Sequence, residues 1–322
     1  MINLVWRTDI HFSDKAPQSR TDDWKGALLD KMSQIGEIAR EVNAEAVLDG
    51  GDLFHIKSPN RTSHSLVQSI MEVQSHYPCP TYACIGNHDV VYGDYTYINQ
   101  QPLGVLFSSG GLNRLYDEHE AVFSKNGVTV RVVGIPYHGV RYDWNRFASI
   151  KKGDEDYLVV VAHVLASEKG GSMFEGEDII KYADLKSLDP DVWCFGHWHK
   201  DQGVTEIASG KYVVNVGSLS RGSLSQDNLD RIPKCCVLKF SQWGINIESR
   251  ELKVQTAEEI FDIEGKERQE MRTEVIDSFV ESLSGSLTSN NAQSLSETVS
   301  HLEVSSEVKE RVLAYIEQAQ GV

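Results

Sequence analysis

Histidine, aspartate and asparagine recur in five short segments, and each segment follows an apolar run. The segments are Asp9-Ile10-His11, Gly51-Asp52-Leu53-Phe54-His55, Gly86-Asn87-His88-Asp89, His163 and Gly196-His197-Trp198-His199. Carboxylate and amide oxygens together with imidazole nitrogens form the mixed environment that manganese, iron or zinc prefers. A single segment is weak evidence, because a Gly-Asp pair is a common turn and a lone histidine on an apolar strand is more often a core residue than a ligand. Taken together, the five segments predict a metal centre.

The elements before these segments have an alternating α/β pattern. Residues 2–8, 46–49 and 81–85 are strand-like, whereas apolar residues recur at helical spacing over 28–42 and 66–73, which predicts β-α-β-α-β. Further apolar runs predict a second sheet packed on the first, at 128–135, 158–161, 192–195, 212–216, 237–240 and 245–247. Because ligands gather at the carboxyl ends of strands in layered α/β folds, we expect five strand ends to face one site.

Composition excludes several classes of protein. The 322 residues contain no stretch of 18 or more uncharged apolar residues, which excludes a membrane span. Five cysteines without paired C-x-x-C spacing and an N-terminus without a signal pattern predict a cytoplasmic protein with reduced thiols. The net charge of −16 argues against a broad basic surface for nucleic acid.

The ordered set D-x-H, G-D, G-N-H-[DE], H and G-H-x-H resembles the calcineurin-like metallophosphoesterase superfamily over about residues 2–220. The resemblance implies an α/β fold in four layers, two sheets flanked by helices, with two divalent metal ions. It implies Asp9, His11 and His199 as ligands of the first ion, Asn87, His163 and His197 as ligands of the second, and Asp52 as the bridge between them. His88 would protonate or stabilise the leaving oxygen, and Asp89 would hold the His88 ring. Two such metal ions activate water and neutralise the charge that develops on the phosphate.

The second motif points to a class of substrate. Phosphoprotein phosphatases carry an Arg-Gly pair a few residues after Gly-Asp to grip a monoester, and this sequence lacks it. The string from Gly51 to His55 is instead similar to the SbcD and MRE-eleven family of DNA repair nucleases, which implies a catalytic or phosphate-contacting role for His55. Four cations follow the first two motifs and predict a rim for the sugar-phosphate backbone; they are Lys15, Arg20, Lys57 and Arg61. Scattered surface charge is the alternative for these four.

These features predict a manganese-dependent DNA nuclease subunit of DNA repair and recombination. It would act as a 3′–5′ exonuclease on duplex DNA and as an endonuclease on single strands. A small-molecule or cyclic-nucleotide phosphodiesterase on the same centre is the alternative, and a scaffold with an idle metal site is a third hypothesis. The resemblance also implies a homodimer formed through helices after the second and third motifs, with residues 64–76 as the candidate, and an SbcC-type ATPase partner.

The sequence divides into a nuclease domain at residues 1–254 and an acidic, helical C-terminal region at 255–322. A capping-box pattern at Thr256 to Glu259 begins a helix that we expect to continue to about Leu283, and another helix is expected at 307–318. The polar stretch 282–300 is interpreted as a linker. The apolar stripe from Ile260 to Leu283 is predicted to dock on the ATPase.

Overall fold

A computed structural model describes residues 1–55, 61–91, 94–170 and 176–265, together with positions 268, 299, 306, 309, 310, 312 and 313. The chain divides into two compact units, Met1–Phe261 and Asp262–Val322. All five motifs lie in the first unit. Lys57, and most of the helices and the linker expected after residue 262, lie outside the described residues.

The first unit alternates strands and helices along the chain. Its strands are β1 (Ile2–Arg7), β2 (Ala46–Asp49), β3 (Thr81–Ala83), β4 (Asn113–Arg114), β5 (Ala121–Lys125), β6 (Val128–Ile135), β7 (Tyr157–His163), β8 (Ala166–Ser167), β9 (Ile180–Lys181), β10 (Val192–Gly196), β11 (Gly203–Ala208), β12 (Lys211–Asn215), β13 (Lys234–Ser241) and β14 (Gly244–Glu251). Its helices are α1 (Trp24–Glu41), α2 (His64–Ser75), α3 (Pro102–Ser108), α4 (Trp144–Ala148), α5 (Tyr182–Leu185), α6 (Gln226–Asp230) and α7 (Ala257–Ile260), with a 3-10 helix at Tyr95–Gln100.

Two six-stranded sheets organise this unit. One has the order β14-β13-β1-β2-β3-β4 and the other β11-β12-β10-β7-β6-β5. Strands β1, β2 and β3 run parallel, as do β6, β7, β10 and β12. The carboxyl ends of the strands within each parallel set therefore lie at one edge, which is where the sequence places the five motifs.

The runs at 237–240 and 245–247 belong to the first sheet, so their predicted place in the second sheet is wrong. Strand β13 pairs antiparallel with β1, Ile2 lying opposite Phe240, and β14 pairs with β13. An apolar run indicates that a strand will be buried but carries no information about its partner, and this pairing joins residues more than two hundred positions apart.

Three apolar cores separate four layers. The first lies between α1, α2 and the first sheet, the second between the two sheets, and the third between the second sheet and α4 and α5. Helix α1 shows how the sequence produces this arrangement. Asp23 caps it by accepting a hydrogen bond from Gly26 N, and Leu28, Met32 and Ile35 recur at helical spacing on its buried face. The predicted four-layer α/β sandwich is confirmed.

The capping box at the end of the first unit is present, but its helix is short. The Thr256 backbone N–H donates to Glu259 at 2.8 Å, yet α7 ends at Ile260 and Phe261 is extended. Phe261 forms an antiparallel bridge with Arg20, and Ile260 and Phe261 are 1% and 4% exposed. The expected unbroken helix to Leu283 is therefore wrong at its start, and these two residues belong to the core of the first unit rather than to a free docking stripe.

Among the described residues, no helix combines the length and the apolar character needed to cross a membrane. All five cysteines are free thiols, and four of them are buried.

Candidate metal centre

Five strand ends bring the predicted ligands to one edge of the sandwich. Asp9 and His11 follow β1, Asp52 follows β2, Asn87 follows β3, His163 ends β7, and His197 and His199 follow β10. The loops after β1 and β2 are tied together, because Asp9 N donates to Gly51 O at 3.1 Å and His11 N to Asp52 O at 2.9 Å. The two sheets are tied as well, since His197 N donates to the Asp9 carboxylate.

One group of side chains suits a first divalent ion. Ligand atoms of Asp9, His11, Asp52 and His199 lie within 4.8 Å of one another. His11 Nε2 is 2.9 Å from His199 Nε2, 3.6 Å from Asp52 Oδ2 and 3.8 Å from Asp9 Oδ1. Two imidazole nitrogens and two carboxylates that converge in this way provide the donors of a transition-metal site.

A second group shares Asp52. Ligand atoms of Asp52, His163 and His197 lie within 4.8 Å of one another, and Asn87 Oδ1 is 3.1 Å from His163 Nε2. His163 Nδ1 lies 2.8 Å from the carbonyl oxygen of Gly50, which can only accept, so Nδ1 carries the proton. When the ring is neutral, the lone pair of His163 is therefore on Nε2, the nitrogen that faces Asp52 Oδ2 at 3.4 Å.

Asp52 provides the test of whether two ions fit. Its Oδ1 accepts a hydrogen bond from His88 N at 2.7 Å. Its Oδ2 is buried, lies between the two groups, and has no hydrogen-bond partner in the part of the chain that the structure describes. An orphaned buried carboxylate oxygen is costly unless a cation satisfies it. The clustered Asp and His side chains therefore fit two divalent ions with Asp52 between them.

The backbone at the centre is strained. Asp9, His11, Asp52 and His197 have φ angles of 55°, 57°, 53° and 88°, in the left-handed region that non-glycine residues rarely adopt. Each such residue costs about 1–3 kcal/mol and persists where the surrounding contacts fix it. A side chain at Gly86 would place its Cβ 2.1 Å from Asp52 Oδ1, so this position requires glycine.

Burial and mutual charge shift the pKa values of the central groups. Burial alone would raise the pKa of Asp9, but the neighbouring His11, His199 and His163 side chains hold it well below its ordinary value. Burial lowers the pKa of His11 to about 4, against the opposing effect of Asp9. Burial alone would lower the pKa of His163, but the nearby negative charges of Asp52 and Asp9 outweigh burial and raise it to about 10. The site thus favours anionic carboxylates beside imidazoles.

Two further histidines lie beside the first group. The His88 ring stacks on His55 with centroids 5.2 Å apart and meets His11 edge-on at 4.8 Å. His88 Nδ1 donates to the carbonyl oxygen of His55 at 2.7 Å. The structure thus brings both predicted catalytic histidines to the edge of the metal centre.

Asp89 does not hold the ring of His88, and that prediction requires correction. Its carboxylate accepts three backbone hydrogen bonds, from Asp52 N at 2.8 Å, Gly86 N at 2.9 Å and Phe54 N at 3.1 Å. Asp89 therefore ties the loop after β2 to the loop after β3. Adjacency to His88 in sequence was misleading, since the turn directs the two side chains to different partners.

The four predicted cations separate into different environments. Lys15 and Arg61 are exposed and line a groove of about 340 Å³ together with His11, His55 and His199. Arg20 is buried instead, with Nε and Nη2 paired to Asp22 at 2.7 and 2.6 Å and Nη1 donating to Arg221 O. Its predicted role in holding phosphate is therefore wrong, because its buried guanidinium group is already paired with groups of the protein. Lys57 lies outside the described residues.

Sequence reasoning missed Glu177. Its Oε1 lies 3.0 Å from His197 Nε2 and accepts a hydrogen bond from the Tyr142 hydroxyl at 2.7 Å. Glu177 belongs to none of the five motifs, and no local pattern marks it.

Comparison with known protein families agrees with the fold. The model of the calcineurin-like phosphoesterase family matches residues 4–201. Among solved structures, the chain is similar to TT1561 of Thermus thermophilus, with 13% identity over 78% of this chain and 99% of that chain and a TM-score of 0.47. It is also similar to a dimetal phosphatase from Danio rerio, with 11% identity over 78% of this chain and 96% of that chain and a TM-score of 0.49. A search of the curated proteins gave no match. Since the family match covers more than half of the 322 residues, the protein belongs to the calcineurin-like phosphoesterases, a family of metal-dependent hydrolases.

Proposed function

We propose that this chain is the nuclease subunit of a DNA repair and recombination enzyme and hydrolyses phosphodiester bonds in DNA with two divalent ions. The observation that carries the proposal is the groove beside the metal centre. His11 and His199 of the first metal group lie in it with His55, and Lys15 and Arg61 line the same groove. Cations beside a metal centre suit a polyanionic backbone that continues past the bond to be cut.

The chain's own residues would divide the work as follows. The Gly50 carbonyl sets the tautomer of His163, and the strained backbone directs Asp9, His11 and Asp52 inward. When bound, the two ions would supply Lewis-acid activation of water and neutralise charge on the phosphate. Lys15 and Arg61 would hold phosphates on either side of the scissile bond.

His88 is the proposed acid for the leaving oxygen. Because the His55 carbonyl can only accept a hydrogen bond, His88 Nδ1 carries a proton and Nε2 is the nitrogen that exchanges one with substrate. The stacked His55 ring limits the orientations open to His88. The lack of an Arg-Gly pair after Asp52 removes the usual grip on a monoester and favours a diester.

The proposal is tested with end-labelled linear duplex DNA and circular single-stranded DNA in manganese, with bis(p-nitrophenyl) phosphate as a simple diester. His88→Ala should lower DNA cleavage by about 10²–10⁴-fold, the range for loss of an acid–base group. His119→Ala, at an exposed histidine outside the centre, is the matched control and should cleave like the wild type. If the wild type and both variants left the DNA intact, the proposed nuclease activity would be contradicted.

A small-molecule or cyclic-nucleotide phosphodiesterase is the second candidate. The groove volume of about 340 Å³ favours it, because this space suits a single nucleotide and is partly lined by the apolar Trp24 and Pro17. Rapid turnover of the aryl diester or a cyclic nucleotide with intact DNA would select this function. No turnover of any of these substrates would favour the scaffold with an idle site.

Manganese is the proposed physiological metal, because the sequence resembles the SbcD and MRE-eleven nucleases and the mixed oxygen and nitrogen donors of the two groups are compatible with it. Manganese, magnesium and zinc should each be titrated into the metal-free protein, with DNA cleavage measured at saturation. Cleavage that is highest in magnesium or zinc would contradict this choice.

A homodimer in the cytoplasm and an SbcC-type ATPase partner complete the proposal. Residues 64–76 form the candidate dimer surface, and the C-terminal region the ATPase contact. Deletion should begin after Phe261, because α7 and Phe261 belong to the fold of the first unit. The shortened chain should remain folded and lose co-purification with the ATPase, and retained co-purification would contradict the assignment.

A further inference from the structure

We propose that Glu177 is a positioning residue that sets the tautomer of His197 and thereby the affinity of the second metal site. Glu177 Oε1 lies 3.0 Å from His197 Nε2, and both side chains are 6% exposed. This inference rests on the two-metal centre and not on the choice of DNA as substrate.

The chemistry follows from the neutral imidazole ring. A carboxylate can only accept a hydrogen bond, so its contact with His197 Nε2 places the ring proton on that nitrogen. The lone pair then lies on Nδ1, which becomes the metal-binding nitrogen. Carboxylates that accept from a ligating histidine orient the ring and increase its basicity, and their loss commonly costs 10- to 100-fold in metal affinity.

Residues of the loop after β6 hold the Glu177 side chain in place through hydrogen bonds. The Tyr142 hydroxyl donates to Glu177 Oε1 at 2.7 Å and accepts from Leu165 N at 2.8 Å. The next residue, Asp178, accepts from Tyr142 N at 3.0 Å and donates its own N–H to Val140 O at 2.9 Å. These contacts hold the Glu177 carboxylate in place before any ion binds, so His197 needs little rearrangement.

The position of Glu177 makes it a partner of the ligand and not a ligand itself. Asp52, His163 and His197 form a compact group with ligand atoms within 4.8 Å of one another, and Glu177 is not part of that group. Its Oε1 is already shared between His197 and Tyr142. His163 has the equivalent arrangement with the Gly50 carbonyl, so in their neutral forms both imidazoles of the second group have a fixed tautomer.

The test is calorimetric titration of manganese into the metal-free protein, for the wild type, Glu177→Ala, Glu177→Gln and Tyr142→Phe. Glu177→Ala should weaken one of the two sites by 10- to 100-fold and leave the other unchanged. Glu177→Gln should recover most of the affinity, because the amide oxygen still accepts from His197 and Tyr142. Tyr142→Phe should weaken the same site by less. Glu118→Ala, at an exposed glutamate, is the matched control and should bind as the wild type does.

Two further readouts separate positioning from a general structural role. Histidine ¹⁵N spectra of the metal-free protein should show His197 with its proton on Nε2 in the wild type and Glu177→Gln, and a changed tautomer in Glu177→Ala. The melting temperature of the metal-free protein should stay unchanged in Glu177→Gln, which serves if the alanine variant does not fold. Wild-type affinity at both sites in Glu177→Ala would overturn the proposal. Complete loss of one ion without rescue by Gln would make Glu177 a ligand and also overturn it. Neither outcome depends on a nucleic-acid substrate.

Discussion

Asp89 is expected to stabilise the loops around the metal centre through its three backbone hydrogen bonds. Asp89→Ala would leave the N–H groups of Asp52, Phe54 and Gly86 buried without a partner. At about 1–2 kcal/mol for each buried donor, the free energy of unfolding should fall by roughly 3–6 kcal/mol. Asp89→Asn can keep the two bonds made by Oδ2 but places an NH2 group against Phe54 N, so it should cost about 1–3 kcal/mol.

Urea denaturation of the metal-free protein measures these two losses in the free energy of unfolding. Manganese titration should also show weaker binding in both variants, because the loop that carries Asp52 is no longer held by Asp89. His88→Ala is the control, since His88 is only half-buried and should unfold like the wild type. If Asp89→Asn kept wild-type stability and metal affinity but lost catalysis to the same extent as His88→Ala, Asp89 would act through the His88 ring and the reasoning would be refuted.

Two more predictions concern buried charges. Burial and the charge of Arg20 lower the pKa of Lys31 from 10.5 to about 7, so above pH 7 the unfolded chain binds a proton that the folded chain does not. The free energy of unfolding of the wild type, relative to that of Lys31→Met, should therefore rise by roughly 3–5 kcal/mol between about pH 7 and pH 10. Urea denaturation at each pH measures it, and an equal dependence on pH in the two proteins would contradict the prediction. The Arg7–Asp49 pair, 2.8 Å apart with both side chains 0% exposed, should make Asp49→Asn cost about 3–5 kcal/mol in urea denaturation, and a loss below about 1 kcal/mol would contradict that.

Local pattern was enough to predict the strands that support the site. Burial makes each strand apolar, and polar residues begin where the strand ends, so Asp9, Asp52 and His163 could be placed at strand exits without coordinates. The parallel order of β1, β2 and β3 then brings such ends to one edge. This part of the centre follows from chain order and sheet geometry.

Contacts between distant segments could not be read in the same way. Arg20 follows the first motif, but its guanidinium group pairs with Asp22 and donates to the carbonyl oxygen of Arg221, far along the chain. Glu177 reaches His197 from the segment before β9, and that segment is held against the loop after β6 by contacts such as the hydrogen bond from Asp178 N to Val140 O. No spacing rule encodes such a contact, since it depends on the tertiary packing of both segments.

The most direct test of the two-metal centre is a crystal structure of the manganese-soaked protein with anomalous data collected at the manganese edge. Two anomalous peaks are predicted on either side of Asp52 Oδ2. One should be held by Asp9, His11 and His199, and the other by Asn87, His163 and His197. A single peak, or peaks away from Asp52, would contradict the account.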